Sequence, residues 1–152
     1  MKTIILAAAL LLLPAAARAQ APAAAPAPSP AADSAAIRRA ALDYIEGWFT
    51  GDGDRMHRAV HPELAKRAVV RDRQDGSSWL SNSTADAMVH ATRAKAGTDV
   101  PPDRREARVD ILDLFGDIAT VRLTSTKLVD YMHLARWNGE WKIVNVLWAP
   151  RQ

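Results

Sequence analysis

Four consecutive extended runs, REARVDILDLF, DIATVRLTST, KLVDYMHLARW and EWKIVNVLWA, fill the chain from Arg105 to Ala149, and they limit its fold more than any other feature. Gly116-Asp117 separates the first two and Asn138-Gly139 the last two. Asn-Gly between alternating apolar runs is a strong hairpin signal, because a type I′ turn needs positive φ at both central residues. Four short strands in series predict an antiparallel meander.

Upstream the apolar period is helical. Ile37, Ala41, Tyr44 and Trp48 form one stripe, widened by Leu42, Ile45 and Phe49, and a helix from an Asp33 or Ser34 cap to about Thr50 accounts for it. Gly51 is suited to end it with a positive φ. A second short helix runs from Asp52 or Asp54 to Val60, closed by His61-Pro62. LAKRAVVRD, residues 64–72, reads as a first strand, DGSSWLSN as a turn with an irregular segment, and STADAMVHATRAK, residues 83–95, as a third helix. Helices first and a meander afterwards define an α+β fold with a sheet packed on three N-terminal helices. In WKIVNVLW strict alternation points Trp141, Ile143 and Leu147 one way and Val144, Val146 and Trp148 the other. Helices cover only one face of such a sheet, so two apolar faces predict a homodimer through the other.

The first 19 residues read as a cleavable signal peptide: Lys2, an apolar run, Pro14 and the A-x-A signal Ala17-Arg18-Ala19, with cleavage after Ala19. The apolar run is shorter than the ~20 residues that span a bilayer. Residues 20–32, mostly Ala and Pro, read as an extended tether, leaving 33–152 as one domain. The expected location is therefore periplasmic or secreted, with no membrane attachment after cleavage. The 20 basic residues become 18 without Lys2 and Arg18, against 17 acids, so the charge balance gives no support to nucleic-acid binding. No cysteine is present, so no disulfide supports the core.

ALDYIEGWFTGDGDRMHRAVHPEL and DYMHLARWNGEWKIVNVLW carry a resemblance to the nuclear transport factor 2-like superfamily, whose cone-shaped α+β fold also serves ketosteroid isomerase and the SnoaL-like polyketide cyclases. Within it the chain most resembles the bacterial subgroup described as lumazine-binding. The resemblance implies a role for Tyr44. In ketosteroid isomerase a tyrosine of the opening helix lies seven residues before the Gly-Asp turn and donates a hydrogen bond to the developing enolate. Tyr44 has that spacing to Gly51-Asp52. The matching general-base position falls near Ala68, where no acid sits; Asp72 lies four residues further. The second acid of the pattern aligns with His133, and Asp130 would need a shift of three.

Taken as residues, Tyr44 reads either as a core phenol or as a pocket donor, and Trp48 as core or pocket wall. Tyr131 and His133 share one face of their strand and, turned toward the helices, would join Tyr44. Asp130 would then face a partner strand or subunit. His57 and His61, four residues apart, lack the further ligands of a zinc site, and no metal or cofactor is expected. The sequence thus predicts a protein holding a small apolar or aromatic molecule in the cone, lined by Tyr44, Trp48, Tyr131, His133 and Trp148, with no catalytic residue assigned. The other classes open are an isomerase or cyclase, with Tyr44 as oxyanion donor and His133 or Asp72 as base, and a non-catalytic dimeric interaction module.

Overall fold

The computed structural model describes residues 29–151, so the signal peptide and most of the tether lie outside the described residues. Helix α1 spans Pro30–Thr50, α2 Gly53–Ala59 and α3 Ala85–Arg93. Six strands follow or interleave: β1 Val60–Arg71, β2 Ser78–Ser83, β3 Ala107–Phe115, β4 Ile118–Ser125, β5 Leu128–Trp137 and β6 Glu140–Pro150. They form one sheet in the order β2-β1-β6-β5-β4-β3. The α+β architecture expected from the sequence is the one observed.

Three boundaries differ from the expectation, each for a local reason. Ser29, whose side chain accepts from the Ala32 N–H, caps α1, and Pro30 sits at its first turn, so the helix starts three residues before Asp33. The second helix ends at Ala59, and Val60-His61-Pro62 already belong to β1, so His57 and His61 share no helix face. The serine-rich segment 78–83 is a strand because β1 supplies its ladder, from Lys66↔Ser83 to Arg71↔Ser78.

The meander is antiparallel throughout, and Asn138 and Gly139 both hold positive φ, 51° and 82°, as a type I′ turn requires. The chain then returns β6 alongside β1 in parallel, the one parallel pairing among the described strands. In β6 the alternation breaks. Leu134 pairs with Ile143 but His133 pairs with Asn145, so Val144 is an extra residue in a β-bulge. Trp141, Ile143, Val146 and Trp148 consequently all take the helix-facing side, while Asn145 and Leu147 face outward. This replaces the strict two-way split read from the sequence.

The core lies between that inner face and the helices, with Ile37, Ala41, Met56, Val121, Leu123 and Ile143 fully or almost fully buried. One polar lock closes it at the start of α1. Asp33 accepts from the Trp141 indole N–H at 3.2 Å and pairs with Arg136 at 2.7 Å, although 108 residues separate Asp33 from Trp141. The Arg136 guanidinium holds the Asp33 carboxyl below its ordinary value of 3.8. An acid with a lowered folded pKa contributes stability that is complete above its unfolded value and is lost as pH falls through the folded one. Asp33→Asn is therefore expected to lower the melting temperature at neutral pH, with the gap to the unaltered protein closing as pH falls below 3.8. Thermal unfolding of both proteins across that range checks this.

Candidate functional site

Inside the cone, the C-terminal half of α1 faces α3, β1, β6 and the start of β5. Between them lies a cavity of about 350 Å³. Its walls are mainly apolar, with Trp48, Phe49, Met88, Val100 and Trp148 prominent. Such a volume, apolar walls and a few convergent polar groups are the usual make-up of a small-molecule site.

Besides Ser81, Ser83 and Ser125, the wall carries two buried polar groups, Tyr44 and Lys66, and Asp130 stands behind them outside the lining. Tyr44 belongs to the buried stripe of α1 and is 2% exposed. Lys66 occupies an inward position of β1, between buried Leu64 and Ala68, and is 6% exposed. Asp130 occupies an inward position of β5, opposite Trp148 of β6, and is fully buried. Since β6 separates β1 from β5, the Lys66 side chain crosses it, its ammonium 5.0 Å from the Trp148 ring centroid and 5.1 Å from that of Tyr44. It ends 2.9 Å from Asp130 Oδ1 and donates to the Tyr44 hydroxyl, which in turn points at Asp130 Oδ1 at 3.5 Å. Asp130 Oδ2 is buried with no hydrogen-bond partner among the described residues.

Burial acts on all three groups. It raises the Asp130 carboxyl against the pull of Lys66, and lowers the Lys66 ammonium against the pull of Asp130. Tyr44 is raised well above 10.0, first by burial and then by the neighbouring carboxylate, so its hydroxyl keeps its proton. The pair carries no net charge, and the anchor it offers is a proton-donating one beside apolar walls. At the rim, Asp99 and Lys127 form an exposed ion pair and both line the cavity.

The sequence-expected residues divide. Tyr44, Trp48 and Trp148 line the cavity, whereas Tyr131 and His133 do not. Tyr131 pairs across the ladder with Arg122 and Leu147 on the outer face and is about half exposed. His133 lies on that same face beside Asn145. The β5 facing is thus the reverse of the one expected, and Asp130 enters the core because a lysine 64 residues away meets it there. The base candidates of the enzyme reading are displaced too. His133 is outside, and Asp72 sits in the β1–β2 turn, its carboxylate accepting from the Gln74 N–H. His61 packs edge-on against Trp137, with ring centroids 4.6 Å apart. Lys66 is the site residue that sequence pattern alone does not single out. The strand alternates in burial, with Leu64, Lys66 and Ala68 inward, but not in polarity, since Ala65 and Val69 lie among the outward positions.

A cone-shaped sheet on three helices, with a cavity closed by an opening-helix tyrosine, is the nuclear transport factor 2-like fold. A family model described as "Putative lumazine-binding" matches residues 32–149, and the chain belongs to that family. Among solved structures it is similar to a nuclear transport factor 2-like protein of unknown function from Shewanella baltica OS155, with 18% identity and a TM-score of 0.63 over 83% of this chain and 99% of that one. A second, from Silicibacter pomeroyi DSS-3, gives 17% identity and a TM-score of 0.61 over 81% and 99%. A cystatin-like-fold domain of unknown function from Nostoc punctiforme gives 11% and 0.57 over 82% and 80%. These likenesses extend to the fold. A search of functionally curated proteins found no match.

Proposed function

We propose that this protein is an exported binder of a small apolar or aromatic molecule, held in the cone with its polar end at Tyr44 and Lys66. The observation that carries this reading is the 350 Å³ cavity, whose largely apolar walls meet the buried Tyr44–Lys66 hydrogen bond. The family description is consistent with a flat aromatic ligand. An isomerase or cyclase reading fares worse: it keeps Tyr44 but finds neither His133 nor Asp72 beside it.

Two indoles in the wall, Trp48 and Trp148, provide the assay. Lumazine and 2-naphthol are expected to quench tryptophan fluorescence saturably. Tyr44→Phe should weaken binding about tenfold, the worth of one hydrogen bond of ~1.4 kcal/mol. Absence of saturable quenching by any small aromatic compound would remove the reading.

The partner is a second copy of the chain, docked through the outer sheet face. Support comes from the exposed Val69, Leu80, Tyr131 and Leu147 on that face, an unusual concentration of apolar side chains for a surface. Sedimentation should show a dimer that Leu147→Glu converts to monomer; a monomeric unaltered protein at high concentration rejects the proposal.

A further inference from the structure

The cluster at the base of the cone is chemically more specific than a generic polar anchor. We propose that Lys66 is a nucleophile, and that the cavity takes aromatic aldehydes or ketones and holds them through a reversible Schiff base to its Nζ. The inference rests on reading the cone as a ligand cavity, and it names the ligand class for that site.

Three geometric observations lead to it. Lys66 is the lysine whose amine is buried in the cavity, reaching it along an inward strand position instead of from the surface. Its neighbours are the two groups that imine formation needs, a carboxylate at 2.9 Å to take a proton and a phenol to donate to a developing oxyanion. The Trp148 ring beside the Nζ favours a cationic nitrogen, whether ammonium or iminium. Desolvation favours the free amine, as it does for lysines that act as nucleophiles in apolar pockets.

The step balances within these residues. The Lys66 ammonium passes one proton to Asp130, leaving a free amine. The nitrogen lone pair forms a bond to the carbonyl carbon as the C=O π pair moves to oxygen, where the Tyr44 hydroxyl stabilises it. A second proton moves from nitrogen to that oxygen, giving a neutral carbinolamine. Asp130, behind the cavity wall, returns its proton by way of the Tyr44 hydroxyl to the carbinolamine oxygen, which departs with the C–O electron pair as water while the nitrogen lone pair closes the iminium. Ammonium plus carbonyl thus becomes iminium plus water, and the Asp130 carboxylate is restored opposite a single positive charge. The buried site is equally charged before and after, so adduct formation strands no new charge in the core. Asp130 Oδ2, without a partner among the described residues, is a free acceptor for the proton in transit.

The test uses the protein with 2-naphthaldehyde and cyanoborohydride at neutral pH, followed by peptide mapping. The chain has five lysines, at positions 2, 66, 95, 127 and 142, so the modified site is read directly. The expected result is one reduced adduct on Lys66, formed about tenfold or more faster than on Lys95, as for a lysine activated in an apolar pocket. Lys66→Arg, which keeps the cation but not the amine nucleophile, should lose that adduct. Labelling spread over Lys95, Lys127 and Lys142 with Lys66 unmodified, while 2-naphthol still binds, overturns the Schiff-base proposal and leaves the ligand cavity standing. Failure of both aldehyde and naphthol to bind overturns both.

Discussion

Lys66→Met is expected to destabilise the protein by about 3–5 kcal/mol, the usual cost of leaving one member of a buried ion pair without the other. Methionine matches the lysine stem in length, so the loss isolates the charge from the packing. Asp130 is fully buried and its Oδ2 already lacks a partner, so removing Lys66 leaves only the Tyr44 hydroxyl within reach. The double variant Lys66→Met, Asp130→Leu should recover most of that loss, since replacing both partners by apolar groups is near neutral or stabilising. Urea unfolding of the two single variants and the double one measures this. A double variant as unstable as the worse single one would show that the pair, and not its separation, contributes the stability.

Gly97→Ala should cost about 1–3 kcal/mol, the usual penalty for adding a methyl group to a closed site. Gly97 is buried, and a Cβ there would overlap the Trp48 indole at Nε1, Cδ1 and Cε2. Reduced unfolded-state entropy favours alanine by only about 0.4–1 kcal/mol, so the clash prevails. Relief comes by moving the ring, and the adjacent free volume is the cavity. The variant should therefore lose both stability and aromatic binding, with a changed Trp48 emission. Trp48→Phe in the same background should restore part of the stability. Unchanged stability and binding in Gly97→Ala would mean that this contact does not shape the site.

Local signals were legible in the sequence and long-range ones were not. The α1 stripe, the Gly51 cap and the Asn138-Gly139 turn each follow from a few adjacent residues, and all three stand as read. For Tyr44 the residues alone left core phenol and pocket donor open and the family resemblance implied the second; the structure puts it in the cavity wall. The facing of β5 did not follow. Tyr131 and His133 look better suited to a half-polar pocket than a bare carboxylate does, until a lysine from another strand neutralises Asp130. Nothing within ten residues of Asp130 announces Lys66. β2 illustrates the same limit: SWLSNS has weak strand character alone and becomes a strand through its β1 ladder. The Val144 bulge is invisible to alternation because it consists in breaking it.

That bulge separates two properties of the cone. With Val144 excised, Ile143, Asn145, Val146, Leu147 and Trp148 would alternate regularly, with the same residues facing inward as now. What the extra residue adds is bend, since a bulge kinks its strand and increases the local twist. Curvature of the sheet and chemistry of its inner surface are thus encoded by different residues. A designer, or natural variation, can deepen or flatten this cone at one position without rewriting the side chains that line it.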